Sequence, residues 1–225
     1  MRTAFSLTGI VPLGAFLLVH AAINARALHG DAAFVSTVRA VQQLPALPLV
    51  EAVFIYLPLA VHAAIGGWLV ATRRSFSPPT PYSPGVRLGV RATGIVVAAF
   101  LVMHLPELRF ASPGAHLGPG ELATRLDAHL STVTHGVPWR GLAYLVGTAC
   151  ATFHLAAGLW GAFAVSERAR ASLRQRRWAA WAIAALGTVM WLTLANVVVF
   201  RATGAQLFGE MVEERSIDPS GAPCP

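Results

Sequence analysis

The sequence predicts an all-α, polytopic membrane protein with five transmembrane helices. Three observations predict it. Of 225 residues, 55% are hydrophobic and only 12% are charged, where an average soluble domain carries roughly a quarter charged residues. The mean hydropathy is +0.59, so there is too little polar surface to cover a water-soluble fold. Five apolar stretches are long enough to cross a hydrocarbon core of about 30 Å, which takes about 20 residues of helix.

The five stretches run from about Phe5 to Leu28, Leu47 to Thr72, Leu88 to Leu108, Pro138 to Val165 and Trp178 to Val199. Several contain Pro or Gly, which membrane helices tolerate better than soluble ones. Ser75 to Gly85 and Ser112 to Gly120 are rich in Pro with Ser or Gly and read as loops. Residues 1–203 are expected to form the membrane domain, and residues 204–225 a polar, flexible tail. The first stretch ends in Ala25-Arg26-Ala27, which resembles a signal-peptidase site. Its apolar run exceeds the usual 7–15 residue signal core and contains a histidine, so it reads as a membrane span.

All 17 basic residues are Arg, and the formal net charge is +7. The arginines gather in two loops rather than on one face. Arg73, Arg74 and Arg87 follow the second span, and Arg168, Arg170, Arg174, Arg176 and Arg177 follow the fourth. The positive-inside rule then predicts a multi-pass protein of the cell inner (cytoplasmic) membrane, with a cytoplasmic N-terminus and the C-terminus outside. The arginine-rich end of the bundle is called inner below, and the opposite end outer. Cys150 and Cys224 are too far apart to imply a disulfide framework, and Cys150 with His154 lacks the C-x-x-C-H of covalent haem attachment.

Four of the eight histidines stand inside spans, one in each of the first four: His20, His62, His104 and His154. An ionisable side chain in the membrane is costly and is by default a functional hypothesis. The simpler alternative is a neutral histidine bonded to a neighbouring helix. A rise of about 1.5 Å per residue puts His20 and His104 roughly 22 Å from the inner edge, and His62 and His154 roughly 8 Å from it. The four therefore form an outer pair and an inner pair. Two imidazoles facing across a bundle can hold one iron from both sides. That is bis-His haem b, a centre suited to electron transfer. The first four helices are thus expected to form a haem-binding bundle.

An internal repeat agrees with the pairing. Thr8-Gly9-Ile10-Val11 and Ala15-Phe16-Leu17-Leu18-Val19-His20 match Thr93-Gly94-Ile95-Val96 and Ala99-Phe100-Leu101-Val102-Met103-His104, with one inserted residue. His62 and His154 both open H-x-x-x-G-x-W, ending at Trp68 and Trp160. Spans one and two thus resemble spans three and four, as in a parallel repeat about an axis along the membrane normal. Gly66 and Gly158 lie one turn from the inner histidines on the same face. A bare backbone there lets a flat porphyrin approach, although membrane helices also use small residues to pack on one another. An interfacial aromatic belt accounts for the two tryptophans.

Three further residues are candidates for contacts with a quinone or a haem propionate. Glu51 lies about three turns before His62 on the same face; it either exchanges protons with a quinone or simply faces water. Asn24 stands one turn outward of His20. Arg91 opens the third span and is placed to pair with a propionate, since guanidinium groups bind carboxylates bidentately, or else it is a topology signal. There is no flavin or nicotinamide fingerprint and no iron–sulfur cysteine cluster. No helix carries two histidines four turns apart, as respiratory cytochromes of the bc type do. The remaining alternatives are the haem b anchor of another dehydrogenase or hydrogenase, and a histidine-based metal transporter. The latter would favour carboxylates mid-membrane, where this chain has none.

These motifs resemble the five-helix cytochrome b subunits of succinate dehydrogenases and fumarate reductases, especially the b558 type of menaquinone-using bacteria. The resemblance runs to about Arg201. It rests on Ser6-Leu7-Thr8-Gly9-Ile10-Val11-Pro12-Leu13-Gly14 before His20 and Asn24, Leu57-Pro58-Leu59 before His62, and Arg91-Ala92-Thr93-Gly94-Ile95 before His104. It continues with Tyr144-Leu145-Val146-Gly147 before His154 and Gly158-Leu159-Trp160 after it. The resemblance implies two haems b, with His62 and His154 ligating the one nearer an iron–sulfur subunit and His20 and His104 the distal one. It also implies a flavoprotein subunit and an iron–sulfur subunit docked on the cytoplasmic side. Electrons would run from succinate through both haems to quinone, the menaquinone of that type, at a site near the distal haem. Some fumarate reductases of the family carry a Glu two residues before the fourth ligand for transmembrane proton transfer. Here that position is Thr152, so that pathway is not expected.

Overall fold

The computed structural model describes residues 8–72, 83–111, 117–165 and 172–208. Five helices among them are long and apolar enough to cross a membrane: α1 (Gly9–His29), α3 (Leu47–Ala71), α4 (Pro84–Arg109), α6 (Trp139–Val165) and α7 (Leu173–Thr203). The all-α, five-span architecture is therefore present. Large apolar side chains stand outward all around them, among them Val11, Phe54, Leu88, Val102, Trp181 and Val189, as a lipid-facing surface requires. None of the apolar windows of α3 or α4 contains a buried residue, whereas a third of the α7 window is buried. The most extensive helix contact is between α6 and α7, where a Cβ on Gly187 would come 3.1 Å from Ala156 Cβ.

Helix ends differ from the sequence expectation for local reasons. α4 starts four residues before the expected Leu88, because Ser83 caps it by accepting from Val86 N–H and Pro84 takes the first turn. α7 starts at Leu173, not Trp178. Ser172 and Gln175 form a capping box, so Arg174, Arg176 and Arg177 belong to the helix and not to a loop. Arg73, Arg74, Arg168 and Arg170, like most of the expected tail, lie outside the described residues. What is described of residues 204–208 folds back on the bundle. Asn196 Oδ1 accepts from Leu207 N–H at 2.6 Å, and Gln206 donates to the Leu28 carbonyl at 2.8 Å.

The two outer connections hold helices of their own, α2 (Asp31–Gln42) and α5 (Pro119–Ser131). Both lie across the outer end. Phe34 and Val38 of α2, and Ala123, Leu126 and Leu130 of α5, turn inward onto Tyr144, Val197 and Val198. These are i, i+4 and i, i+3, i+7 spacings, one stripe of an amphipathic helix. Arg201 near the end of α7 locks both helices down. Its side chain is 3% exposed, donates to Asp31 at 2.6 Å and to Asp127 at 3.1 Å, and lies over the Phe34 ring.

Three prolines shape the spans. Pro12 lies within a π-helical turn, Gly9–Gly14; Pro58 follows one, Ala52–Tyr56; Pro106 lies within another, Leu105–Arg109. Proline has no N–H to give and crowds the carbonyl four residues back. A wider turn re-satisfies the backbone inside a membrane, where water cannot. The turn in α1 has a second effect. A π-turn takes up one extra residue, which absorbs the insertion separating the two halves of the repeat.

Candidate functional site

The four span histidines meet in two pairs. The His20 and His104 rings lie with centres 6.0 Å apart, and the His62 and His154 rings 6.2 Å apart, each pair at an interplanar angle of 90°. All four side chains are half-buried. The histidines converge in twos only: among the described residues no group of three or more His, Cys, Asp or Glu is placed to hold a metal ion.

The inner pair is shaped by backbone. A Cβ on Gly9 would sit 2.7 Å from His62 Cε1, and one on Gly94 would sit 3.0 Å from His154 Cε1. Real Cβ contacts essentially never fall below 3.0 Å, so the glycine of each Thr-Gly-Ile-Val motif is what lets an inner histidine close onto the neighbouring helix. Sequence reasoning used these glycines to recognise the repeat and missed this role. His154 Nδ1 faces the Val90 carbonyl at 3.1 Å and Thr93 Oγ1 at 3.3 Å. A carbonyl can only accept, so Nδ1 carries the proton and Nε2 keeps its lone pair. At Gly66 and Gly158 a Cβ would meet nothing within 4 Å, so neither glycine is demanded by helix packing within the chain.

The outer pair is shaped by side chains. Phe16 lies 5.3 Å from His20, and Phe100 stacks on His104 at 5.2 Å and 24°. Each is four residues before its histidine, the same place in the repeat. Phe100 reaches His104 over Gly147, where a Cβ would fall 2.5 Å from the ring. Tyr144, one turn before Gly147, brings its hydroxyl to 3.3 Å from His104 Nδ1.

Glu51 does not face water. Its side chain is 14% exposed and accepts from the Arg109 guanidinium through both carboxylate oxygens, at 2.5 Å for the shortest contact. Tyr56 hydrogen-bonds the same guanidinium. Asn24 spends its amide N–H on the His20 carbonyl of its own helix at 2.8 Å. Arg91 is exposed on α4, one residue after the Val90 carbonyl that meets His154. Thr152 is 2% exposed, and its hydroxyl bonds back to Thr148 and Ala149 of its own helix. Glu107, near the outer end of α4, pairs with Arg140 at 2.5 Å and with His129 at 3.6 Å.

Comparison with known proteins gives one decisive likeness. The chain is 31% identical over 178 residues to a protein of Bacillus subtilis (strain 168) described as the succinate dehydrogenase cytochrome b558 subunit, covering 78% of this chain and 83% of that one. The chain belongs to that family. It is thus a multi-pass membrane subunit of a succinate dehydrogenase type of complex, a part of an enzyme assembly. No family model matches it, and no solved structure matches it. The b558 likeness agrees with the family resemblance carried by the histidine motifs, and it covers most of both chains.

Proposed function

We propose that the chain is the quinone-reactive membrane anchor of a succinate:quinone oxidoreductase and passes electrons between an iron–sulfur subunit and a quinone. In this reading His62 and His154 hold an inner haem b, and His20 and His104 hold an outer one. Bound there, each haem supplies a one-electron centre with no open coordination position. The oxidation of succinate belongs to the flavoprotein subunit.

The observation that carries this reading is the spacing of the rings. An imidazole nitrogen binds a first-row metal ion at about 2 Å and lies roughly 1 Å from its own ring centre. Two imidazoles on opposite sides of one ion therefore have centres roughly 6 Å apart, and the two pairs stand at 6.0 and 6.2 Å. The Nδ1–H tautomer imposed on His154 by the Val90 carbonyl supports the same reading, since metal-bound histidines ordinarily donate their other N–H to such a partner. Two depths suit a relay across the bundle, in which an electron enters near the cytoplasmic face and leaves near the outer one. The open space beside Gly66 and Gly158 suits one flat macrocycle at the inner pair, lying against α3 and α6.

The arginine-rich inner end is the docking side for the iron–sulfur and flavoprotein subunits, and the N-terminus is cytoplasmic. Quinone, menaquinone in this reading, reacts near the outer pair. There Glu51 acts as half of the Glu51–Arg109 ion pair, positioned to orient a quinone oxygen or pass it a proton. Residues 1–203 form the electron-transfer domain.

Haem quantification on the purified complex by pyridine haemochrome, against the amount of this chain, tests the proposal. Two b-type haems per chain are expected. A chain without haem, from cells supplied with it, would overturn the reading.

A further inference from the structure

We propose that Tyr144 is a positioning residue for the outer site, its hydroxyl on His104 Nδ1 holding that imidazole in one tautomer and one plane and thereby lowering the midpoint potential of the outer haem. This rests on the reading that His20 and His104 are haem ligands.

The two sites differ in what stands behind the ligand. At the inner site His154 Nδ1 faces a backbone carbonyl, that of Val90, at 3.1 Å and the Thr93 hydroxyl at 3.3 Å. At the outer site the partner of His104 Nδ1 is a phenol, at 3.3 Å. The Tyr144 side chain is packed to hold that place. The residue is 5% exposed and meets the Phe100 ring edge-on at 5.1 Å, while Phe100 stacks on His104.

Behind the phenol stands a carboxylate. Glu107 lies three residues after His104, hence on the same face of α4, the face that meets Tyr144. Arg140 and His129 pin Glu107 from the outer side. Its Oε2 is buried and has no hydrogen-bond partner among the described residues. The order is therefore imidazole, phenol, carboxylate, with guanidinium and a second imidazole beyond.

With Nε2 on iron, His104 Nδ1 bears the proton and donates to the Tyr144 oxygen. The Tyr144 proton is then directed toward Glu107. An acceptor polarised by a carboxylate draws the Nδ1 proton more strongly and makes the imidazole a better electron donor. A more basic ligand favours the oxidised metal, which lowers the potential. It also fixes the ring plane, to which the spectrum of a bis-His centre is sensitive.

The test uses the assembled complex with Tyr144→Phe, which keeps the ring packing and removes only the hydroxyl. Electron paramagnetic resonance and a redox titration followed in the haem absorption band are the readouts. Two haems should remain. The outer low-spin signal should move and the outer midpoint should rise, by about tenfold in the reduced-to-oxidised ratio at fixed potential, or about 59 mV for one electron. The inner signal should stay in place. Glu107→Gln, which leaves Tyr144 intact, should shift the outer midpoint in the same direction by less. Thr93→Val, at the inner site, should leave the outer signal alone. If both haems keep their signals and midpoints in Tyr144→Phe, the proposal is overturned. If Tyr144→Phe does not assemble, Glu107→Gln decides: an unchanged outer midpoint overturns the proposal. Failure of the ligand reading is separately visible, because His104→Ala would then leave the outer signal intact.

Discussion

At the inner histidine pair the neighbours are mainly backbone, with the Thr93 hydroxyl beside His154; at the outer pair they are side chains. His62 and His154 close against Gly9 and Gly94, and His154 is oriented by the Val90 carbonyl. His20 and His104 are flanked by Phe16, Phe100 and Tyr144, and the glycine involved, Gly147, serves only to admit Phe100. Yet the two halves of the chain are built from one repeat, and corresponding glycines and phenylalanines occupy corresponding places. The difference teaches that one motif does two jobs. Its Thr-Gly-Ile-Val end shapes the inner site, and its Ala-Phe…His end shapes the outer site, on the same helix. A site bounded by backbone tolerates no added atoms. A site bounded by side chains can be tuned by replacing one of them.

The largest test of this contrast removes one of the histidines proposed as haem ligands. On the proposed reading, His62→Ala or His154→Ala should cut the haem content from two per chain to one. Quinone reduction should stop, while the soluble subunits still reduce artificial acceptors. If either variant kept both haems, the pairing would be wrong.

Next in size are the glycines, where the two sites should separate. Gly9→Ala should lose the inner haem and keep the outer one, read from the two low-spin signals, because its Cβ would overlap His62 at 2.7 Å. Gly94→Ala should do the same more mildly, at 3.0 Å. Gly147→Ala should disturb the outer signal alone, by pushing Phe100 off His104. Equal effects on both signals in all three variants would break the comparison.

Smaller still is the ion pair that joins α3 to α4 on the outer side. Arg109→Gln leaves the Glu51 carboxylate, 14% exposed, without its fork. A loss of about 1–3 kcal/mol is expected, measured as a lowered thermal midpoint of the complex in detergent. Loss of stability without loss of quinone activity would assign the pair to structure only.

The smallest effect is expected at Asp127. Burial lifts its carboxyl above the ordinary carboxylate range, against the pull of Arg201. A raised folded value means that its contribution to stability is fully present below the ordinary range and is lost as pH rises through the folded value. Asp127→Asn removes that dependence. Thermal midpoints of the two proteins, compared from acid to neutral pH, should therefore show the parent protein losing ground to the variant as pH rises. The opposite trend would mean that attraction to Arg201 outweighs burial.

Five spans, their approximate places and the association of His20 with His104 and His62 with His154 were legible in the sequence. Apolar length is a one-dimensional property, and a fixed rise per residue converts position into depth. The repeat was legible for the same reason: matched helices carry matched residues. The outer helices α2 and α5 were not read. Their stripes are short and polar residues interrupt them, so no long apolar run announces them.

Other features depend on which helix lies beside which. Glu51 meets Arg109 across 58 residues, Arg201 meets Asp31 across 170, and Tyr144 meets His104 across 40. No local period encodes such distances. The insertion between the repeats is the clearest case. In the sequence it is one residue too many between Gly9 and His20; in the fold the π-turn Gly9–Gly14 takes it up, and both residues still face the bundle. Hydrophobic length and helical rise set the spans and the depths of the histidines. Packing between helices chose their ring partners, because contact, burial and hydrogen-bond direction exist only once the helices are side by side.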